Sequence, residues 1–143
     1  MNVREILSIK GRNVVTIDPH STIDTAARLL AERKIGAVVV TGPEDRIVGI
    51  LSERDIVTLL AVRGNEALVM KVSDAMTRKV TTCIPSDSIS SIMERMTAGK
   101  FRHLPVIEQN RLTGIISIGD VVKHRLVEME EEQAAMRDYI QTA

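Results

Sequence analysis

The chain has 143 residues, 44% of them hydrophobic, with 19 basic and 19 acidic side chains that cancel. That length suits one compact domain or two small repeats sharing a core, and the balanced charge excludes a general attraction to nucleic acid or acidic membrane. With one Phe, one Tyr and no Trp, the core must be aliphatic, and a stacking platform for single-stranded bases is excluded.

Cys83 is the only cysteine, so neither an internal disulfide nor a Cys-rich metal site is expected, and the cytoplasm is the expected compartment. Met1-Asn2-Val3-Arg4-Glu5 does not open a basic region followed by an apolar stretch, so no signal peptide is expected. No apolar run approaches membrane-spanning length.

In chain order, Val3–Leu7 forms a short lead-in, and Val14–Ile17 reads as a strand ending at Pro19. A helix follows, with Ile23, Ala26, Ala27 and Leu30 as one apolar stripe and Ser21-x-x-Asp24 placed to cap it. Gly36–Val40 is a β-branched run, Gly42-Pro43-Glu44-Asp45 has turn chemistry, and Arg46–Leu51 is the next strand. A helix then begins at Ser52 and runs through Ile56, Val57, Leu59 and Leu60.

The same order recurs. Val72-Ser73-Asp74-Ala75-Met76 echoes the lead-in, and Val80–Cys83 repeats the first strand 66 positions on. Ile89, Ile92, Met93 and Met96 repeat the helical stripe, which Gly99 is placed to end. Phe101–Ile107 and Leu112–Ile116 are the paired strands, with a turn near Asn110. From the turn onward the offset is 65, so that Gly49-Ile50-Leu51-Ser52-Glu53-Arg54-Asp55 falls on Gly114-Ile115-Ile116-Ser117-Ile118-Gly119-Asp120. The expected fold class is therefore α/β: two β-α-β-β-α repeats related by a pseudo-twofold axis, over 3–63 and 72–127, with a helical extension over 128–143. A single repeat of roughly 60 residues has too little core to stand alone.

The recurring Ser-x-x-Asp has two readings. As a capping box, the Ser oxygen accepts a backbone N–H and the carboxylate reaches back to the start of the helix. As a binding site, the same helix start presents N–H donors and a positive dipole end to phosphate. A carboxylate one turn in can accept both ribose hydroxyls. Gly49 and Gly114 would let the backbone approach a base closely.

Two such units, each ending Gly-Ile-x-Ser-x-x-Asp, resemble a pair of cystathionine-β-synthase (CBS) domains, or Bateman module. Val72-Ser73-Asp74-Ala75-Met76-Thr77 resembles the usual lead-in of such a domain, and Arg102-His103-Leu104-Pro105-Val106 a common form of its middle strand. The resemblance covers roughly residues 3 to 127 and extends to small stand-alone bacterial proteins of this type. It implies a non-catalytic regulatory module binding an adenosine-containing small molecule (AMP, ADP, ATP, NAD or S-adenosylmethionine) in clefts between the repeats. It also implies pairing of modules into a homodimer, with an effector protein as a further partner.

Carried over, one site joins Asp120, Ser117, Ile115, Arg102 and His103 to Thr16 and Ile17. The other joins Asp55, Ser52, Ile50 and Arg54 to Thr82 and Cys83. The sites are unequal: Arg102-His103 faces Gly36-Ala37 in the alignment, which favours phosphate at the Asp120 site. Arg54 partly compensates at the Asp55 site, while Glu53 disfavours a polyphosphate there. The alternative is a structural or interaction module in which Ser-x-x-Asp serves only as a helix cap.

Catalysis is not expected, and neither a catalytic cofactor nor a metal. His20, His103 and His124 are scattered, Cys83 has uncharged neighbours, and there is no phosphate-binding Gly-rich loop. Beyond Asp120 the helical pattern continues. Val122, Leu126, Met129, Gln133, Met136 and Ile140 alternate steps of four and three, the spacing of a helix–helix seam, and a dimer-forming helix of about 35 Å is expected, the alternative being a helix folded back on its own domain.

Overall fold

The computed structural model describes residues 1–142. Among the described residues, six helices and five strands appear in the order α1 (Val3–Lys10), β1 (Thr16–Ile17), α2 (Ile23–Arg33), β2 (Ala37–Thr41), β3 (Ile47–Ser52), α3 (Glu53–Arg63), α4 (Val72–Ala75), α5 (Ile89–Gly99), β4 (His103–Glu108), β5 (Arg111–Ser117) and α6 (Ile118–Thr142). Short 3-10 turns occupy Pro43–Asp45 and Gly64–Val69. The doubled α/β pattern read from the sequence is present, and α6 continues unbroken for 25 residues.

The elements gather into two compact units, and these are not the two sequence repeats. One unit is Asn13–Thr81 with Gln109–Thr113, so it carries β1, α2, β2, β3, α3 and also α4, the lead-in of the second repeat. The other is Met1–Arg12, Thr82–Glu108 and Gly114 onward, so it carries α1, the lead-in of the first repeat, together with α5, β4 and α6.

In the first of these units, β1 lies parallel to β2 (Thr16↔Val39, Ile17↔Val40). β2 pairs antiparallel with β3 from Ala37↔Ser52 to Thr41↔Ile47, with an irregularity at Val40/Thr41. Val38, Val40 and Leu51 meet Ile23, Ala26 and Leu30 of α2, Ile56 of α3, and Val72 and Met76 around α4 in one aliphatic cluster. The β-branched run forms the buried central strand because both of its faces are covered.

In the other unit lie β4 and residues 114–117 of β5, and the two strands form a two-stranded sheet. Gln109 and Asn110 between them both have positive φ (52° and 62°), as a two-residue primed hairpin turn requires. Its core is Val3, Ile6 and Leu7 of α1, Ile89, Ile92 and Met96 of α5, Leu104 and Val106 of β4, Ile116 of β5, Val121 of α6, and Cys83.

Several local expectations are corrected. Val14–Ile17 shortens to the two residues of β1, and its counterpart Val80–Cys83 shrinks to one parallel bridge, Cys83↔Val106. The cap of α2 is Thr22, whose Oγ1 accepts the Thr25 N–H at 3.2 Å, not Ser21. Ser21 lies in the turn before the helix, its N–H donated to the Asp18 carbonyl, and Asp24 pairs with Arg28 one turn on. Lys100 rather than Gly99 takes the left-handed conformation that ends α5 (φ 57°), as Lys34 does for α2 (φ 55°). Gly99 is needed for space: a side-chain carbon there would collide with the Phe101 ring.

Cys83 is 2% exposed, and its Sγ–H lies 3.7 Å from the Pro105 carbonyl. Burial, reinforced by the Asp87 charge and opposed by Arg95, pushes its thiol up to about 12. Because the thiolate is the reactive form, folded protein should react with iodoacetamide at about pH 8 more than roughly a hundredfold more slowly than the denatured chain. Comparable rates, followed by mass spectrometry, would contradict the buried placement.

No helix among the described residues is long and apolar enough to cross a membrane.

Candidate functional site

Each Ser-x-x-Asp lies where a strand passes into a helix, and each forms the reciprocal hydrogen bonds of a capping box. At the end of β3, Ser52 N–H donates to Asp55 Oδ2 at 2.9 Å, and Asp55 N–H donates to Ser52 Oγ at 3.2 Å. At the end of β5, Ser117 N–H donates to Asp120 Oδ2 at 2.9 Å, and Asp120 N–H donates to Ser117 Oγ at 3.2 Å. Ser117 Oγ also donates to Asp120 Oδ2 at 3.0 Å.

The middle strand closes over each helix start in the same way. Ile118 N–H donates to the Arg102 carbonyl at 2.8 Å, and Glu53 N–H to the Gly36 carbonyl at 2.9 Å. Two of the first three helical N–H groups are thus already used in each copy. Gly119 and Arg54 carry the remaining first-turn donor, so a phosphate would meet one backbone N–H and not the full nest of a helix N-terminus.

The two glycines of the motif also have an internal explanation. A side-chain carbon at Gly114 would lie 2.6 Å from Leu7 Cδ2, and one at Gly49 would lie 2.5 Å from Met76 Sδ. Leu7 and Met76 end the two echoed lead-ins. Each lead-in packs one apolar side chain against the bare backbone of a Gly-Ile-x-Ser strand, and the close approach that glycine allows is filled by protein in both copies.

The copies diverge at one residue that sequence reasoning missed. Lys10, the last residue of α1, donates from Nζ to Asp120 Oδ2 at 2.6 Å and to the Ile115 carbonyl at 2.9 Å. The two side chains are 35% and 24% exposed. Burial alone pushes the Asp120 carboxyl up. The Lys10 hydrogen bond and charge, with the Ser117 N–H and hydroxyl, outweigh it and hold the carboxyl below its ordinary value of 3.8. Asp120 is therefore ionised at neutral pH.

The signal for Lys10 lay in the lead-in echo continued three residues further, where Lys10 falls on Lys79. The backbones differ there. α1 continues to Lys10, whereas α4 stops at Ala75 and Thr77 pairs with Ile50 as an antiparallel bridge. Among the described residues Lys79 forms no ion pair, and Asp55 faces only its own cap.

The other expected site residues are placed as follows. Arg102 is exposed just before β4, and His103 opens β4 half-buried. Both share a unit with Ile115, Ser117 and Asp120. Thr16 is exposed and Ile17 buried on β1, in the unit that holds Ile50, Ser52, Arg54 and Asp55. Arg54 is exposed in the first turn of α3, beside exposed Glu53. Thr82 is half-buried, and its carbonyl accepts Arg95 Nη1 at 3.2 Å, a second contact that sequence reasoning did not foresee. Cys83 turns its thiol into the core, and its N–H and carbonyl are taken by Pro105 and Ile107 of β4. No group of three or more potential metal-ligating side chains exists among the described residues.

The CBS domain family model matches residues 3–62 and 72–127. A crystal structure of a CBS-domain containing protein from Agrobacterium tumefaciens is 49% identical and superposes with a TM-score of 0.85, covering 87% of this chain and 92% of that one. A mitochondrial CBS domain-containing protein of Arabidopsis thaliana is 31% identical over 97% of this chain and 71% of its own length. A CBS domain pair solved in complex with 5′-methylthioadenosine and S-adenosyl-L-methionine shares the fold at a TM-score of 0.79 and 22% identity, covering 90% of this chain and 98% of that one. With both sequence repeats matched and the doubled α/β architecture present, this chain belongs to the CBS-domain family and carries a pair of CBS repeats.

Proposed function

We propose that this chain is a non-catalytic regulatory module that binds an adenosine-containing small molecule, AMP, ADP, ATP or NAD, at its Ser-x-x-Asp motifs. The observation that carries the reading is Asp120: a half-buried carboxylate, kept ionised at the mouth of a strand-to-helix turn, with a cation alongside. A ribose presents two hydroxyl donors to such an acceptor, and the neighbouring cation Lys10 suits a phosphate. The bound ligand of the related CBS pair, S-adenosyl-L-methionine, extends the set to be tested. Binding acts by favouring one conformation of the module over another, which an effector protein reads.

Titrating AMP, ATP, NAD and S-adenosylmethionine while following thermal unfolding tests this. A ligand at about a hundred times its Kd adds about 2.7 kcal/mol of stability, a rise of roughly 5–10 °C for a chain of this size. If none raises the midpoint at millimolar concentration, the reading is lost.

A second reading has its own support. Ser52/Asp55 and Ser117/Asp120 both complete capping boxes, so helix capping accounts for these residues without a ligand. Under that reading the chain is a structural or interaction module, and the same titration gives no shift.

The module works as a homodimer joined through α6, in the cytoplasm, where a lone buried thiol such as Cys83 needs no partner. Every described residue from Met129 on is exposed, and Leu126, Met136 and Ile140 are 56%, 61% and 66% exposed on one stripe. A second copy of that stripe, at the same four-and-three spacing, is a fitting cover. In sedimentation the full chain should run as a dimer and a chain ending at Val127 as a monomer; an unchanged dimer removes the role of α6.

A further inference from the structure

The two Ser-x-x-Asp motifs differ in charge more than in shape. Asp120 has one cation in hydrogen-bond contact, Lys10, and Arg102 belongs to the segment whose carbonyl receives the Ile118 N–H. Around Asp55 stand one cation, Arg54, and two carboxylates, Asp55 and Glu53. Lys10 is the decisive member because it brings a charge to the motif from outside that motif's own repeat, bonding both Asp120 and the Ile115 carbonyl.

Its ammonium has three N–H donors. Two are given to Oδ2 of Asp120 and to Ile115, and the side chain keeps 35% of its exposure. Oδ2 already accepts from Ser117 N–H, Ser117 Oγ and Lys10, so Oδ1 is left as the acceptor for an incoming hydroxyl.

Resting on the proposed nucleotide function, we propose that Lys10 is a specificity-determining residue of the Asp120 site, cancelling the carboxylate charge and presenting an ammonium so that an anionic nucleotide is preferred over the neutral nucleoside. The Asp55 site, which lacks such a lysine, lacks that preference. A phosphate approaching an uncancelled carboxylate is repelled, whereas one approaching the Lys10–Asp120 pair meets a cation that can share its free donor.

Calorimetric titration of AMP and of adenosine into the unmodified chain, Lys10→Met and Lys10→Arg tests this, with circular dichroism confirming that each variant is folded. Lys10→Met should weaken AMP on the order of tenfold, the size of one charge-assisted hydrogen bond, and change adenosine by less than about threefold. Lys10→Arg should keep AMP within about threefold of the unmodified chain. Equal losses for AMP and adenosine would show that Lys10 only holds Asp120 in place, and tighter binding of both would show that it obstructs the site. A Lys10→Arg variant with the AMP preference abolished also overturns the inference. If neither ligand binds the unmodified chain, the proposed function falls and this inference falls with it.

Discussion

Asp120→Ala should lower adenine-nucleotide affinity at its site by more than about a hundredfold, because two ribose hydroxyls lose a charged acceptor worth roughly 1.5–3 kcal/mol for each hydrogen bond. The effect on folding should be far smaller. The Ser117 N–H and Oγ lose their partner, which costs about 1 kcal/mol, as loss of a helix cap does. Lys10, one-third exposed, can turn to water. Asp120→Asn separates the two effects, since the amide oxygen still accepts from Ser117 while the charge that pairs with Lys10 is gone. Asp55→Ala should cost a similar 1 kcal/mol or so of stability, because its capping box is the same, and should leave binding at the Asp120 site unchanged. Normal nucleotide binding by Asp120→Ala, measured by calorimetry on the folded variant, would rule out the site.

The largest effect on stability should come from Leu7→Ala. Leu7 is 1% exposed and belongs to the core of its unit, so its truncation should cost about 2–5 kcal/mol in urea unfolding. Gly114→Ala should cost about 1–3 kcal/mol for the opposite reason, because the added carbon would lie 2.6 Å from Leu7 Cδ2 in a close-packed region. Since both changes act on one space, they should not add. In the double variant the new methyl enters room that Leu7 has vacated, and the total should fall short of the sum by at least about 1 kcal/mol. Strict additivity would mean that Leu7 does not shape the space in front of Gly114.

These two experiments bear on different parts of what the sequence made legible. The duplication was readable because Gly, Ile, Ser and Asp recur in register and because aliphatic stripes recur at helical spacing around them. Helix boundaries were less so. Ser21-x-x-Asp24 has the letters of a capping box, yet Thr22 makes the cap, because Ser21 is held in a turn by Asp18. A second strand at Val80–Cys83 looked equivalent to Val14–Ile17, yet only Cys83 pairs. Short strands depend on a partner at the right distance, and local composition does not report the partner. Of the candidate site, the helix cap was legible as a set of residue types: Ser117 and Asp120 form it, and the Arg102 carbonyl receives the next N–H. Lys10 was not legible, because it is 110 positions from Asp120 and only the folded chain brings them together.

The sequence by itself determined the doubled α/β order, the aliphatic core, the capping boxes at Ser52 and Ser117, and the long terminal helix. Each follows from local periodicity or from repetition, which are properties of neighbours along the chain. Only the tertiary structure decided that the lead-ins are exchanged. α1 of the first repeat packs in the unit of the second, and α4 of the second packs in the unit of the first. The physical reason is steric and reciprocal: each Gly-Ile-x-Ser strand leaves bare backbone at its glycine, and Leu7 or Met76 fills it from the other repeat's lead-in. At Gly114 that docking brings α1 in far enough for Lys10 to reach Asp120. At Gly49 the helix stops one turn too early, and Asp55 keeps only its cap.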